Sequence, residues 1–274
     1  MSLLKQYLGF LQSHILWKNS KLFGLIAFDP KLSIDKLDNI VHVEIPNFEV
    51  LGKRIESFFA DYLEHSNDFD ILAKNIQIFS GTTTIGEIDF LLKERMTGQR
   101  IHVELVYKFY LYNPALSNDQ LKCWVGPNKR DHLLKKIKKI TEKQLPLLYT
   151  EEAIFKLKTE YDLLVDGFDQ QVCYFANLFL PLSVSKEELK YINPDCIEGF
   201  WIRKIDFTVA NFGKNQYKIP DKADWIIAPA SNPDWQSFEK VLSQIDTYLL
   251  NEYAPLIWLK TPDGEFQKFF IVWW

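Results

Sequence analysis

Cysteine is scarce in this chain of 274 residues: Cys123, Cys173 and Cys196 are the only three, far apart and in no metal-ligand spacing. An odd, scattered set argues against a disulfide framework and suits buried thiols in a reducing compartment. Long apolar runs are missing too. No stretch approaches the ~20 residues of a membrane-spanning helix. The N-terminal MSLLKQYLGFLQSHILWKNSKL has neither a signal-peptide apolar region nor a small-residue cleavage site. We expect an ordinary helix there and a cytoplasmic protein. Excess positive charge is also lacking: a formal charge of −4 gives no global attraction to nucleic acid, so any basic surface must be local. There is no fixed-period repeat and no low-complexity tract.

What is present is an ordinary globular composition with many rings, including 21 Phe and 8 Trp. The length allows one large domain or two small ones with a sizeable core. Residues 1–20 read as a helix, and Phe28 to Phe48 as irregular with a short strand at Ile40 to Ile45. From Val50 to His65 the spacing is helical, with Leu51, Ile55, Phe58, Phe59 and Tyr62 on the core side. A strand near Asp70 to Phe79 and a turn at Gly81 follow.

The segment from Thr84 to Leu111 carries the most information. In its first strand Ile85, Glu87, Asp89 and Leu91 share one face, while Ile88, Phe90 and Leu92 fill the other. The second strand has an unbroken apolar face from Ile101 to Phe109, opposite His102, Glu104, Val106 and Lys108. Gly98 lies in the turn between them. Pairing would bring Asp89 and Glu104 together with Lys108 nearby. Two carboxylates and a lysine inside a sheet are costly to bury unless they are paired or hold a metal ion. That cost makes them the candidate site. Glu87 shares the Asp89 face but points to solvent, and His102 reads as a sheet-end residue.

A loop from Asn113 to Lys129 leads into a helix over Arg130 to Leu148, which Pro146 kinks or ends. Leucine and isoleucine at 133, 134, 137 and 140 form its apolar stripe, and Lys135, Lys136, Lys138, Lys139 and Lys143 cover much of the rest. Those lysines are a solvated face that could also supply phosphate contacts. Asn128-Lys129-Arg130 adds charge at the helix start, so Lys129, Arg130, Lys135 and Lys139 are the candidate nucleic-acid contacts. Trp124 is expected as a packed indole, with a base-stacking platform as the alternative. A helix over Glu151 to Leu164 and a buried strand over Gln171 to Leu180 complete an α-β-β-β-α-(α)-β order, a mixed sheet flanked by helices. Beyond it, strands are expected near Gly199 to Ile205, Asp224 to Ile227, Pro255 to Lys260 and Phe266 to Trp273, with helices near Lys186 to Tyr191 and Asp234 to Asn251. We therefore divide the chain into an N-terminal helix and irregular segment (1–49), a core (50–180) and a C-terminal α+β extension packed on that core (181–274).

That element order resembles the restriction-endonuclease-like, or PD-(D/E)XK, nuclease superfamily. Gly86-Glu87-Ile88-Asp89 is similar to its second-strand GxxD signature, and Val103-Glu104-Leu105 to the start of its third-strand motif. Gly52 and Glu56 fit its helical GxxxE pattern, and Gln144 with Tyr149 is loosely similar to a Q…Y element of some members. More closely, GEIDFLLK…HVELVYKFYL…WVGPNKRDHL…KQLPLL resembles a bacterial family of unknown function assigned to that superfamily. The likeness covers residues 50–180 well and the C-terminal part more thinly.

The resemblance implies hydrolysis of a phosphodiester in DNA or RNA with Mg²⁺ or Mn²⁺. Asp89 and Glu104, with the Leu105 carbonyl, would hold the ion. Glu56 would bind the attacking water or a second ion, and a lysine would stabilise developing charge. One position departs from the motif: its lysine should stand two residues after the acid, where this chain has Val106. Lys108 is two residues further along the same face, ~7 Å away at ~3.3 Å per residue, and becomes the candidate. The alternative is a degenerate, non-catalytic module that binds nucleic acid or a partner protein on the same fold. The expected partner is nucleic acid, with no membrane, and a homo-oligomer is compatible with the sequence.

Overall fold

Apolar spacing and turn chemistry account for most of the elements in the computed structural model, which describes residues 3–17, 21–34, 50–229 and 234–274. The strand expected at Ile40 to Ile45 lies outside the described residues. In chain order the first elements are α1 (Leu3–Leu11), β1 (Lys21–Leu22), β2 (Leu25–Ala27), α2 (Leu51–His65) and β3 (Phe69–Ser80). Next come β4 (Thr83–Glu94), β5 (Arg100–Tyr112), β6 (Trp124–Val125), α3 (Leu133–Lys139), α4 (Leu145–Leu147) and α5 (Glu151–Tyr161). The remainder are β7 (Phe168–Pro181), β8 (Ile197–Arg203), α6 (Val209–Phe212), β9 (Gln216–Lys218), α7 (Phe238–Leu250), β10 (Leu256–Lys260) and β11 (Phe266–Val272). The fold is α/β, and its sheet is mixed, with both parallel and antiparallel pairs and helices at its flanks.

The chain divides into two units. One holds residues 15–107 and 134–175, and the other holds 1–14, 108–133 and 176–274.

In the first unit, α2 buries all five residues expected on its core side. Phe59 meets Phe90 of β4 edge-on, ring centroids 5.0 Å apart. β3 and β4 form a long antiparallel hairpin that turns at Gly81, whose φ of 61° is readily open only to glycine. β5 pairs antiparallel with β4, and β2 pairs parallel with β7. On the other face, Ile76, Ile78, Ile88 and Leu91 pack with Leu147, Leu148, Ala153 and Leu157. Gly86 belongs to that contact: a Cβ there would come within 2.6 Å of Leu147 Cδ2. α5 ends at Tyr161, earlier than expected, because Asp162 takes the left-handed conformation at φ 54°.

The helix expected over Arg130 to Leu148 is not uniform. α3 starts at Leu133, widens into a π-helical turn over Ile140–Gln144, and resumes as α4. Pro146 has no N–H to donate, and the Leu145 N–H reaches back to the Ile140 carbonyl instead.

In the second unit, α7 lays Phe238, Val241, Ile245 and Leu249 on Ile257, Leu259, Phe269 and Ile271 of β10 and β11. β8 runs parallel to β11, which pairs antiparallel with β10. Asp224 to Ile227, expected as a strand, is instead the end of a 3₁₀ turn and the bend after it. Gln6 donates to Asp224 there at 2.8 Å, and Gly9 packs so closely that a Cβ would sit 2.2 Å from the Ile226 carbonyl oxygen. Trp124 is a packed indole, 1% exposed. All three cysteines are buried free thiols. Among the described residues no helix is long and apolar enough to cross a membrane.

Candidate acidic site

The β4–β5 ladder runs from Lys93 opposite Arg100 to Phe90 opposite Val103 and stops there. Asp89 and Glu104 are the next residues on the two strands. Glu104 is fully buried, and Asp89 is half-buried. Asp89 Oδ2 accepts the Leu105 N–H at 2.9 Å, which ties the first acid to the second strand. The carboxyl groups lie against each other. Burial first, then the charge of Glu104, pushes Asp89 up to about 8. Burial likewise raises Glu104 to about 8, against the opposing pull of Lys136 and Lys139.

Glu104 is held from two sides. Gln144 Nε2 donates to its Oε2 at 2.5 Å, and Lys136 Nζ donates to Oε1 of the same Gln144 side chain at 2.7 Å. On the other side His102 Nε2 lies 3.2 Å from Oε1. The tautomer follows from the next bonds. Gln170 Nε2 donates to the Leu145 carbonyl at 2.5 Å and faces His102 Nδ1 at 3.1 Å, so Nδ1 accepts and Nε2 carries the proton given to Glu104. Burial lowers His102 to about 4, keeping the ring neutral. A line of polar groups therefore runs Lys136, Gln144, Glu104, His102, Gln170, all within the first unit.

Glu56 and Glu87 form the rim. Lys53 of α2 bridges them, its Nζ 2.7 Å from Glu56 and 3.1 Å from Glu87. The charge of Glu56 reaches Asp89, and that of Glu87 reaches Glu104. Gly52, the other half of the GxxxE pattern, has open space where a Cβ would go, so packing does not require glycine there.

The other sequence candidates are placed differently. Lys108 belongs to the second unit and pairs with Asp131 at 2.7 Å. Val106, at the motif's lysine position, is 2% exposed. Lys129 and Arg130 precede α3 in a loop of the second unit, because the helix begins three residues later than Arg130. Lys129 Nζ lies over the Trp274 ring, 4.5 Å from its centroid. Lys135 and Lys139 are exposed on α3. Tyr149 gives its hydroxyl to the Phe168 carbonyl at 3.4 Å. Sequence reasoning missed Lys53, Lys136 and the His102–Gln170 pair. Only the i, i+3 spacing of Lys53 and Glu56 pointed to one of them.

Among the described residues no group of three or more His, Cys, Asp or Glu side chains is arranged to hold a metal ion. The fold and this site together define an α/β protein with two adjacent carboxyl groups on neighbouring strands, Glu104 buried and Asp89 half-buried. The chain matches the family described as a domain of unknown function, DUF1853, over residues 28–272, and it belongs to that family. No curated protein matches it, and no solved structure does.

Proposed function

We propose that this chain is a metal-dependent phosphodiester hydrolase of the PD-(D/E)XK type, acting on DNA or RNA in the cytoplasm. The observation that carries this reading is the Asp89–Glu104 pair, two carboxylates pressed together where burial penalises their charge. A purely structural sheet has no use for such an arrangement, since two apolar side chains would fill the space at lower cost.

The donor chemistry fits Mg²⁺ or Mn²⁺. Hard cations take oxygen ligands, and Mg²⁺ commonly binds one or two carboxylates and fills its remaining positions with water and substrate phosphate. Asp89 and Glu104 would hold the ion, which when bound polarises a phosphate and lowers the pKa of a bound water. The chain's own residues do the rest. Leu105 N–H and Gln144 fix the two carboxylates, while neutral His102 donates to Glu104 without adding charge. Glu56, whose charge reaches Asp89 from the rim, would orient the attacking water. The exposed lysines of α3, Lys135 and Lys139, supply contacts to the nucleic-acid backbone. In the hydrolysis the water oxygen bonds to phosphorus as the bond to the leaving oxygen breaks, and the water's proton ends on that leaving oxygen. No further reactant is needed.

One observation favours a second reading, the non-catalytic binding module: the buried Val106 stands where the motif has lysine. A panel of single- and double-stranded DNA and RNA, incubated with Mn²⁺, Mg²⁺ or EDTA, separates the two. Cleavage that needs the metal and disappears in the Asp89→Ala, Glu104→Ala double variant supports the hydrolase. Absence of cleavage by the folded protein in every lane supports the binding module.

A further inference from the structure

We infer that Lys136, delivered from helix α3, is the catalytic lysine of this site, facing the scissile phosphate, and that Gln144 is its positioning residue. The inference rests on the hydrolase reading above. Strand β5 does not supply that lysine. The side chain two residues after Glu104 is a buried valine, and the next lysine along, Lys108, is held by Asp131 at 2.7 Å. A phosphoryl group gathering negative charge beside two carboxylates needs a cation from elsewhere.

Lys136 is the lysine whose charge acts on both Asp89 and Glu104. Its placement is built. Nζ donates to Gln144 Oε1 at 2.7 Å, and the same amide donates through Nε2 to Glu104 Oε2 at 2.5 Å. One planar amide thus fixes the spacing between ammonium and carboxylate. Lys136 and Gln144 are eight residues apart, and the π-helical turn over Ile140–Gln144 comes between them. Each residue in a helix advances ~100°, so an uninterrupted α-helix would turn position 144 about 80° past position 136. The wider turn resets that angle, and single π turns often mark functional sites. Lys136 is also half-buried, unlike Lys135, Lys138 and Lys139 beside it, which are exposed. It is therefore set apart from the solvated lysine face by burial as well as by bonding.

The test uses the full-length protein and three variants: Lys136→Met, Lys136→Gln and Lys136→Arg. Cleavage of a DNA or RNA substrate with Mn²⁺ is measured beside calorimetric binding of Mn²⁺ alone. We expect Lys136→Met to lose ~10²-fold or more in kcat, the scale of removing one preorganised charge donor, while KM changes by less than about threefold. Mn²⁺ affinity should stay equal or tighten, because a positive charge has left the neighbourhood of the carboxylates. Lys136→Arg should recover at least about tenfold of the loss by restoring the charge. Lys136→Gln keeps a donor for Gln144 and takes the place of the methionine variant if that one does not fold. Cleavage by Lys136→Met within about threefold of wild type overturns the inference and leaves the hydrolase reading standing. Mn²⁺ affinity that falls in step with cleavage also overturns it, since Lys136 would then only support the ion's ligands. A wild-type protein that neither binds Mn²⁺ nor cleaves removes the hydrolase reading, and this inference with it.

Discussion

The Leu105 N–H donates to Asp89 Oδ2 at 2.9 Å, just beyond the Phe90–Val103 pair where the β4–β5 ladder stops. A side chain here takes the main-chain donor that the ladder would otherwise use. β4 keeps its pairing with β3 on the other edge, down to Thr83 opposite Ser80. The two acids therefore sit where one pair of strands parts while the sheet continues beside them. Asp89 is at once a structural acceptor and a member of the carboxylate pair, and substitutions that separate these roles are the most informative.

Asp89→Asn keeps an oxygen for Leu105 and removes the charge. The raised carboxylates mean that the folded protein holds protons that the unfolded chain releases, so stability falls as pH rises from about 4 towards 8. Buried neutral His102 has the opposite sign below its ordinary value near 6.5 and offsets part of that fall at acid pH. The clearest loss lies between roughly pH 6.5 and 8, on the order of 1 kcal/mol. Melting curves without divalent cations should show it in wild type and show it flattened in Asp89→Asn. Asp89→Ala forfeits the Leu105 bond too and should melt below Asp89→Asn at pH 8.

A divalent ion should reverse the pH trend. To bind, it must displace the protons that the raised acids hold, so its stabilising effect grows with pH. With Mn²⁺ at ~100 times its dissociation constant, the gain is about 2.7 kcal/mol. Differential scanning fluorimetry should show a larger upward shift at pH 8 than at pH 6, and none in the Asp89→Ala, Glu104→Ala double variant. An equal shift in that variant would place the ion elsewhere.

Alternating and helical patterns made the core legible from sequence. Leu51, Ile55, Phe58, Phe59 and Tyr62 mark one face of α2, and the faces of β4 and β5 carry Asp89 and Glu104 into adjacent positions. Those readings rest on a side-chain period, which is local. Partners contributed from distant segments left no such mark. His102 read as a sheet-end residue because its companion, Gln170, is 68 residues away. Lys136 looked like one of five lysines on a solvated helix face, since the π turn that aligns it with Gln144 has no simple periodic signature. Asp224 to Ile227 read as a strand from its apolar run, yet the Gln6–Asp224 hydrogen bond and the close approach of Gly9 belong to a bend.

Gly86→Ala tests a different element of the same architecture. Its new Cβ would press on Leu147 Cδ2 at 2.6 Å, so α4 must shift or Leu147 must change rotamer. Overpacking of this kind costs about 1–3 kcal/mol. The companion Gly86→Ala, Leu147→Ala should recover part of that loss in chemical denaturation. Additive losses would mean that the strand relaxes instead.

Lys108→Ala should leave cleavage within about twofold of wild type, because its ammonium is held by Asp131 at 2.7 Å. The pair is part exposed, and its removal should cost no more than about 1 kcal/mol. Loss of cleavage at unchanged stability would return Lys108 to the centre and count directly against Lys136.

Gln144→Leu removes both arms of one amide. Glu104 Oε2 loses its 2.5 Å donor, and Lys136 Nζ loses its 2.7 Å acceptor, while the apolar volume changes little. A buried carboxylate oxygen deprived of its donor costs about 1–3 kcal/mol, which should lower the melting temperature by several degrees. Gln144→Glu separates the two arms. It keeps an acceptor for Lys136 but replaces the donor to Glu104 with a third carboxylate, adding repulsion that a divalent cation would relieve. The glutamate variant should therefore be the less stable of the two in EDTA at pH 8 and gain more from Mn²⁺. If leucine and glutamate respond equally to the ion, Gln144 acts on Glu104 by packing alone, and the amide link from Lys136 to the acid pair has no electrostatic role.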